Sequence, residues 1–259
     1  MQWSELGGTD SNPISTSRPG TINPTLAIPT QLYQIEMGTN FSIYNHISIP
    51  LLLIRMGIYN NTELQVGLEG GDVSISALYG GISIIDNLEN SIMLTTSLPK
   101  MAGSSYEDNN DSLIAYSTYL PISYSFKNGF SLLGQIAGVF TFNDSLQCSN
   151  ENFLTQHSCL DAGWQWNNNS YSTTEMNYSI AIGNSIDDNT SWFFEVNRKL
   201  NNEKNNPFSM LYGLIFISDN KNIQFDLSMG LNFQRKEEKW ETIVEENYVE
   251  LGFSFRRLE

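Results

Sequence analysis

Apolar and polar residues alternate along most of the chain after the first thirty residues. Leu64, Val66 and Leu68 are each separated by one polar or small residue, and the same period of two runs through 224–233 and 248–256. A period of two is typical of β-strands that present one apolar face. No segment shows a convincing helical period, so the pattern predicts an all-β chain.

Twelve segments of this kind are predicted as strands, and the connections between them sort into two sets. The strands span approximately 31–44, 48–59, 62–70, 75–86, 91–100, 113–127, 130–144, 173–186, 191–200, 207–219, 222–235 and 247–257. The connections after even-numbered strands are short, whereas the odd set includes the long loops 101–112, 145–172 and 236–246. This asymmetry is typical of an up-and-down barrel in an outer membrane, with short periplasmic turns and longer external loops. An even strand number also places both ends of the barrel sequence on the periplasmic side.

The residues on the two strand faces favour a membrane barrel over a secreted soluble β-protein, which remains the alternative. The polar positions are mostly Gly, Ser, Thr, Asn and Gln, and the apolar face is nearly free of charge and too large for one soluble core. Such a face suits lipid, because barrel closure leaves no unpaired edge in the bilayer. Aromatic residues near strand ends fit interfacial girdles: Phe41, Tyr124, Phe126, Phe130, Phe140, Phe142, Trp192, Phe208 and Phe255. The predicted fold is therefore a twelve-stranded antiparallel up-and-down transmembrane β-barrel.

The predicted barrel occupies residues 31–257. Residues 1–30 are expected to be irregular, because glycines and prolines interrupt any regular element there. This segment either enters the lumen as a plug, where a polar cavity tolerates irregular backbone, or extends into the periplasm. Residues 258–259 are interpreted as a vector-derived tail.

Composition and charge narrow the function classes. The chain has 259 residues, of which 16% are charged, and a formal net charge of −15. So few bases argue against a nucleic-acid partner, since phosphate neutralisation dominates that affinity. No apolar run reaches 18 residues, which argues against transmembrane helices.

Three motifs near the start of the barrel resemble a known family. The first is Glu36-Met37-Gly38. The second contains Pro50, Arg55 and Gly57 in one predicted strand, and the third is a tight turn that leads to Glu63-Leu64. This stretch resembles the outer-membrane transporter-like family named for the meta-pathway of phenol degradation. The resemblance implies an outer-membrane channel. It is also the only basis for expecting small aromatic or hydrophobic solutes.

The last strand, 247–257, also looks like the closing strand of bacterial outer-membrane barrels. Such strands usually end on an aromatic residue, which the barrel-assembly machinery reads. Phe255 takes that position, although Arg256 and Arg257 follow it.

Charged residues at inward positions, together with the amide of Gln65, are the candidates for a constriction or solute contact. They are Glu36, Arg55, Glu63, Gln65, Glu69, Glu175, Glu195, Asp226 and Glu250. The alternative for Arg55 and its acidic neighbours is an ion-pair network that stiffens the barrel. By this count the lumen is net acidic and favours cations or neutral solutes over anions.

The predicted external loops add further candidates. Trp164 and Trp166 are candidate ligand contacts, with loop packing as the alternative, and Cys148 and Cys159 are expected to form a disulfide in an oxidising compartment. Acidic loop residues are candidates for divalent cations that bridge lipopolysaccharide, or are simply solvated: Glu107, Asp108, Asp111, Glu237, Glu238 and Glu241.

The sequence predicts no enzyme, no cofactor and no metal site. The two histidines, His46 and His157, lie in predicted loops without the motif of a membrane-embedded hydrolase. The expected function is a channel or porin-like transporter in the bacterial outer membrane, with lipid, lipopolysaccharide and a small solute as partners. A structural or adhesion barrel acting through its loops is the first alternative, and a hydrolase is the second.

Overall fold

The structure is a computed structural model that describes residues 22–44, 48–69, 72–98, 112–126, 129–148, 156–163, 165–200, 208–219, 222–236, 239–243 and 247–256. Within these residues it contains thirteen strands and one short helix. They are β1 (Tyr33–Ser42), β2 (Ser48–Tyr59), β3 (Thr62–Glu69), β4 (Asp72–Ile85), β5 (Leu88–Leu98), β6 (Ser112–Ser125), β7 (Ser131–Cys148), α1 (Gln156–Asp161), β8 (Trp166–Ser185), β9 (Thr190–Leu200), β10 (Phe208–Ile217), β11 (Ile223–Lys236), β12 (Lys239–Thr242) and β13 (Tyr248–Arg256). No helix in this part of the chain is long and apolar enough to cross a membrane.

Twelve of the strands form a closed antiparallel barrel. Strands β1 to β11 pair in sequence order, β11 pairs with β13, and β13 returns to pair with β1. The short strand β12 pairs only with β11 and lies outside the ring. The predicted twelve-stranded antiparallel up-and-down barrel is therefore confirmed, and its first strand begins at Tyr33 rather than at residue 31.

The predicted loops 145–172 and 236–246 are partly wrong, because both contain strand. Strand β7 continues to Cys148 and β8 begins at Trp166, with these two residues opposite one another in the register. Strand β12 was not predicted at all. These extensions lack an apolar period: β8 opens with Trp166-Asn167-Asn168-Asn169. An alternation of apolar and polar residues marks only strands that bury one face, so the pattern misses these strands.

The two ends of the barrel differ in their connections. The turn end carries the short connections at 60–61, 86–87, 126–130, 186–189 and 218–222, and the loop end carries the rest, including 99–111 and 149–165. Asn61 and Asn87 take positive φ values of 59° and 66° in two-residue turns. Asparagine tolerates this left-handed region and so permits the tight reversal.

The outer wall is an apolar belt with aromatic rings at its two ends. Aliphatic side chains at mid-strand point outward and are exposed, as Met37, Ile136 and Ile180 show at 45%, 55% and 55%. Aromatic pairs lie near the loop end (Tyr116–Phe142, Phe208–Phe233) and near the turn end (Phe130–Trp192, Phe225–Phe253). A barrel with this exterior is matched to a bilayer, whose interfaces favour aromatic side chains.

Candidate lumen site

The alternation of the strands places the predicted lumen residues as expected on the inner face. Seven of them are buried, with exposures between 0% and 7%: Glu36, Arg55, Glu63, Gln65, Glu195, Asp226 and Glu250. Glu69 ends β3 as an exposed residue at the loop end, and Glu175 is partly exposed. The nine residues do not form one site; the structure divides them among separate regions of the wall.

Arg55 is the centre of a buried ion-pair cluster on β1, β2 and β3. Its Nη2 donates to Glu63 Oε2 at 2.9 Å, its Nε also donates to Glu63, and its Nη1 donates to Glu36 Oε1 at 3.1 Å. All three side chains have an exposure of 0%. Two donors to one carboxylate make this a bidentate, charge-assisted pair, which fixes the guanidinium in place.

Two glutamines and a second arginine extend this cluster along the wall. Gln34 Nε2 donates to Glu36 at 3.0 Å, and Gln65 Nε2 donates to Glu63 at 2.9 Å. Arg256 Nε donates to Gln34 Oε1 at 3.0 Å. We call Gln34, Glu36, Arg55, Glu63, Gln65 and Arg256 the arginine cluster. Its two acids and two bases balance, so this part of the lumen is neutral.

The register explains why these side chains meet. Gln34 lies opposite Arg55 on one side and opposite Arg256 on the other, and Arg55 lies opposite Gln65. Residues directly opposite each other on one sheet face have Cβ atoms about 5 Å apart. Gln34 is the cluster member that was not among the predicted site residues, although its inward phase is the same as that of Glu36.

Residues 22–32 precede β1 and lie inside the barrel; we call them the N-terminal segment. A tight turn reverses the chain at its end, where Leu32 N donates to the Pro29 carbonyl at 3.1 Å and Gln31 takes a positive φ of 69°. The segment then passes over Gly57, at which a Cβ atom would lie 2.1 Å from the Pro29 carbonyl oxygen. Only glycine leaves enough space for this close approach.

Polar contacts hold the segment to the inner wall at two well-separated strands. The backbone N–H of Ile28 donates to Glu63 Oε2 at 2.8 Å, which ties the segment to the arginine cluster. At its other end, Asn23 donates through its backbone N and its Nδ2 to Gln135 Oε1, at 2.8 and 3.0 Å. Because Glu63 is on β3 and Gln135 is on β7, the segment runs along the inner wall over about a third of the ring of twelve strands.

Three strands between these anchors also contact the segment. Ser91 Oγ of β5 donates to the Pro24 carbonyl at 2.7 Å, and Gly81 N of β4 donates to the Thr25 carbonyl at 2.6 Å. The Thr25 hydroxyl is 3.0 Å from the Ser123 hydroxyl of β6. Thr25 has an exposure of 0%, and the bonds from Ser91 and Gly81 satisfy the Pro24 and Thr25 carbonyls, which no sheet ladder pairs.

An apolar cluster holds the start of the segment against β7 to β10. Ile22 is 7% exposed and packs in this cluster, where the ring of Phe193 lies across Gly213. The other buried members are Leu133, Ala181, Leu211, Ile215 and Ile217. Sequence reasoning treated the inner face as polar and missed this patch, whose signal is that β10 is apolar on both faces.

A cavity of about 510 Å³ opens inside β2 to β6, next to the N-terminal segment. Asn23 lines it on the segment's side, and Glu69 and Asp72 lie directly opposite each other in the register of β3 and β4. We call it the lumen pocket. Its remaining lining mixes hydroxyl and amide groups with apolar side chains: Ile49, Leu53, Gln65, Val73, Ser74, Ser76, Met93, Thr95, Ser97 and Tyr119.

The other predicted lumen residues lie on β8, β9, β11 and β13, outside the arginine cluster. Glu195, Asp226 and Glu250 are buried on β9, β11 and β13, and the Asp226 carboxylate fills the space above Gly252. Glu175 instead pairs with Lys199, Nζ to Oε2, at 2.6 Å. Three of the acids counted in the predicted net acidic lumen, Glu36, Glu63 and Glu175, therefore pair with bases.

The loop candidates fall mostly outside the described residues. This holds for Trp164, His46 and the loop residues Glu107, Asp108, Asp111, Glu237 and Glu238, and for the side chains of Trp166, His157 and Glu241. Cys159 is fully buried and disulfide-bonded. Its pairing with Cys148, whose side chain is not described, stays a prediction. The described residues hold no group of three or more potential metal ligands.

The whole barrel is similar to solved structures of outer-membrane channels. A COG4313 outer membrane channel from Pseudomonas putida F1 superposes with a TM-score of 0.62 at 8% identity, over 93% of this chain and 99% of that one. The KdgM porin in complex with disordered oligogalacturonate gives 0.54 at 10% identity, over 87% and 99%. This chain has the fold of outer-membrane porins. The NanC porin matches at a TM-score of 0.50 and 12% identity, over 87% and 100%. Neither a protein-family model nor a curated protein sequence matches the chain.

Proposed function

We propose that this protein is an outer-membrane channel for small neutral or cationic solutes. The observation that carries the proposal is a closed barrel with an apolar outer belt around a polar inner face. A closed barrel leaves no unpaired strand edge in lipid, and its interior provides a polar route across the bilayer. The porin fold of the compared structures supports the same role.

The proposed solute class follows from the lumen pocket. Two carboxylates, Glu69 and Asp72, line it, and no lysine or arginine is among its lining residues. Carboxylates concentrate cations and repel anions, so an acidic solute is disfavoured. The side chains of Leu53 and Tyr119 suit a hydrophobic or aromatic part of a solute, and the volume of about 510 Å³ is within the range of small-molecule sites.

The N-terminal segment is proposed to be the plug that closes the resting channel. It lies inside the barrel along the wall from β3 to β7 and is hydrogen-bonded to the strands at both ends of this path. Conduction therefore requires the segment to move, at the cost of its hydrogen bonds and of the apolar contacts of Ile22.

Planar-bilayer conductance tests the channel and its plug together. The full chain is expected to conduct weakly, and a variant lacking residues 1–30 is expected to show a several-fold larger single-channel conductance. A matched control retains the segment and carries Glu69→Gln, which changes the pocket charge but none of the segment's anchors. A barrel that conducts in neither form, while folded, would overturn the channel proposal.

The membrane placement and family are part of the proposal. We place the loop end outside the cell and both termini in the periplasm, with lipopolysaccharide around the belt and β13 as the strand that the assembly machinery reads. The motifs shared with the phenol meta-pathway family, together with the fold shared with the Pseudomonas putida channel, support a place near these transporters. Labelling of single cysteines introduced at 60–61 and at 43–44 on intact cells tests the orientation, since only the second site is expected to react.

A further inference from the structure

Arg198 places a guanidinium group on the outward, lipid-facing side of β9. Its Nη1 donates to the Tyr178 hydroxyl at 3.4 Å, and its Nε is buried without a hydrogen-bond partner. Within the described residues no carboxylate lies within salt-bridge distance of Arg198. The next residue, Lys199, faces inward and pairs with Glu175, so the two cations of this strand end differ in their partners.

The position of Arg198 corresponds to a membrane interface. It lies opposite Phe208, the first residue of β10, and Phe208 lies opposite Phe233 of β11. The two phenyl rings are stacked, 4.7 Å apart at 8°. Aromatic rings concentrate where hydrocarbon meets headgroups, and a long cationic side chain at that depth reaches the charged layer. A cation on a lipid-facing wall is costly unless an anion meets it there.

An apolar groove lies on the same outer wall, deeper in the bilayer. Tyr212 and Leu214 of β10 and Leu227 and Met229 of β11 line this space of about 330 Å³. The register places Tyr212 four residues along β9 from the level of Arg198. Four residues correspond to about 13 Å along a strand and, at a strand tilt of about 40°, to about 10 Å of depth, which lies within one leaflet of hydrocarbon.

We propose that Arg198 and this groove form a binding site for one lipopolysaccharide molecule of the outer leaflet. The guanidinium donates charge-assisted hydrogen bonds to a lipid A phosphate, for which its planar fork is suited. An acyl chain of the same molecule occupies the groove beside Leu227 and Met229. The choice of leaflet rests on the proposed orientation, with the loop end outside the cell.

Titration of the purified full chain in detergent micelles with bisphosphorylated lipid A tests the site. Arg198→Gln is expected to weaken lipid A binding about tenfold, as loss of one charge-assisted contact would. Lys199→Gln is the matched control, because it removes the same charge from the adjacent, inward position and is expected to leave the affinity unchanged. Leu227→Trp fills the groove and is expected to weaken lipid A binding, while the hydrogen bonds from Arg198 to the phosphate stay intact.

Dephosphorylated lipid A separates a specific phosphate contact from general detergent-like binding. Wild type is expected to bind it about tenfold more weakly, and Arg198→Gln is expected to cause no further loss with this ligand. Equal affinities of the Arg198 and Lys199 variants would overturn the proposal, as would equally tight, Arg198-dependent binding of phosphatidylglycerol. Conductance is measured separately, so failure here leaves the channel proposal intact.

Discussion

At the scale of single residues, Glu63 is the link between the barrel wall and the N-terminal segment. It receives two hydrogen bonds from Arg55, one from Gln65 and one from the backbone of Ile28. Its carboxylate compensates the charge of the buried guanidinium. Neutralising Glu63 therefore affects both the wall and the segment.

Glu63→Gln is expected to lower the free energy of unfolding by about 3 kcal/mol, because it leaves the Arg55 charge buried with Glu36 as its remaining carboxylate in the arginine cluster. Urea titration of the folded barrel, followed by its heat-modifiable migration on gels, measures this. Glu69→Gln is the control on the same strand and face, since Glu69 is exposed. Equal losses in the two variants would contradict a structural role for the ion pair.

The inward charges show what could be predicted at this scale. The period of two places Glu36, Arg55 and Glu63 on one face without any knowledge of the fold, and the turn at 60–61 brings β2 and β3 together. The sequence does not reveal that Asn23 donates hydrogen bonds to Gln135. The two residues are 112 positions apart, and only the folded barrel brings them together.

At the scale of elements, the backbone of the N-terminal segment fits against the wall because glycines leave space for it at two positions. Gly57 faces the Pro29 carbonyl, and Gly80 faces the Thr25 carbonyl, at which a Cβ atom would lie 2.7 Å away. Both glycines have inward phase, so any larger residue would project into the segment. The irregular character of this region was predictable from its prolines, but its path was not, because six or more strands contribute its partners.

Gly57→Ala is therefore expected to displace the segment and to raise single-channel conductance toward that of the variant lacking residues 1–30. Overpacking against a fixed backbone costs about 1–3 kcal/mol, which is comparable to the few hydrogen bonds holding the segment. Gly67→Ala is the control, because its Cβ would meet the Ser74 hydroxyl, a side-chain atom that can rotate away. A folded Gly57→Ala barrel with wild-type conductance would show that the segment does not close the channel.

At the scale of the whole molecule, apolar and polar residues alternate only in the parts of the strands that present one face to lipid. The pattern predicted every strand of the barrel. It did not predict β12, the extension of β7 after residue 144 or the extension of β8 before residue 173. Those residues are rich in asparagine and serine, as in Asn167 to Ser170, so neither of their faces needs to be apolar. The pattern thus reports the membrane-spanning height of the barrel rather than the full length of its strands.

The distribution of charge over the barrel predicts the ion selectivity of the open channel. Arg55 is neutralised by Glu36 and Glu63, whereas no base lines the lumen pocket that contains Asp72. The variant lacking residues 1–30 is therefore expected to pass potassium in preference to chloride, measured as the sign of the reversal potential in a KCl gradient.

The same measurement assigns this selectivity to the pocket. Adding Asp72→Asn is expected to reduce the preference for potassium, because it removes half of the pocket's carboxylate pair. Asp187→Asn is the matched control: a hydrogen bond from the Asn189 backbone holds the pKa of Asp187 below its usual value, so this carboxylate is ionised at neutral pH but lies in an exposed turn. If the open channel preferred chloride, the proposal that it favours neutral or cationic solutes over anions would be refuted. Equal shifts from the two substitutions would instead place the selectivity in the general surface charge rather than in the lumen.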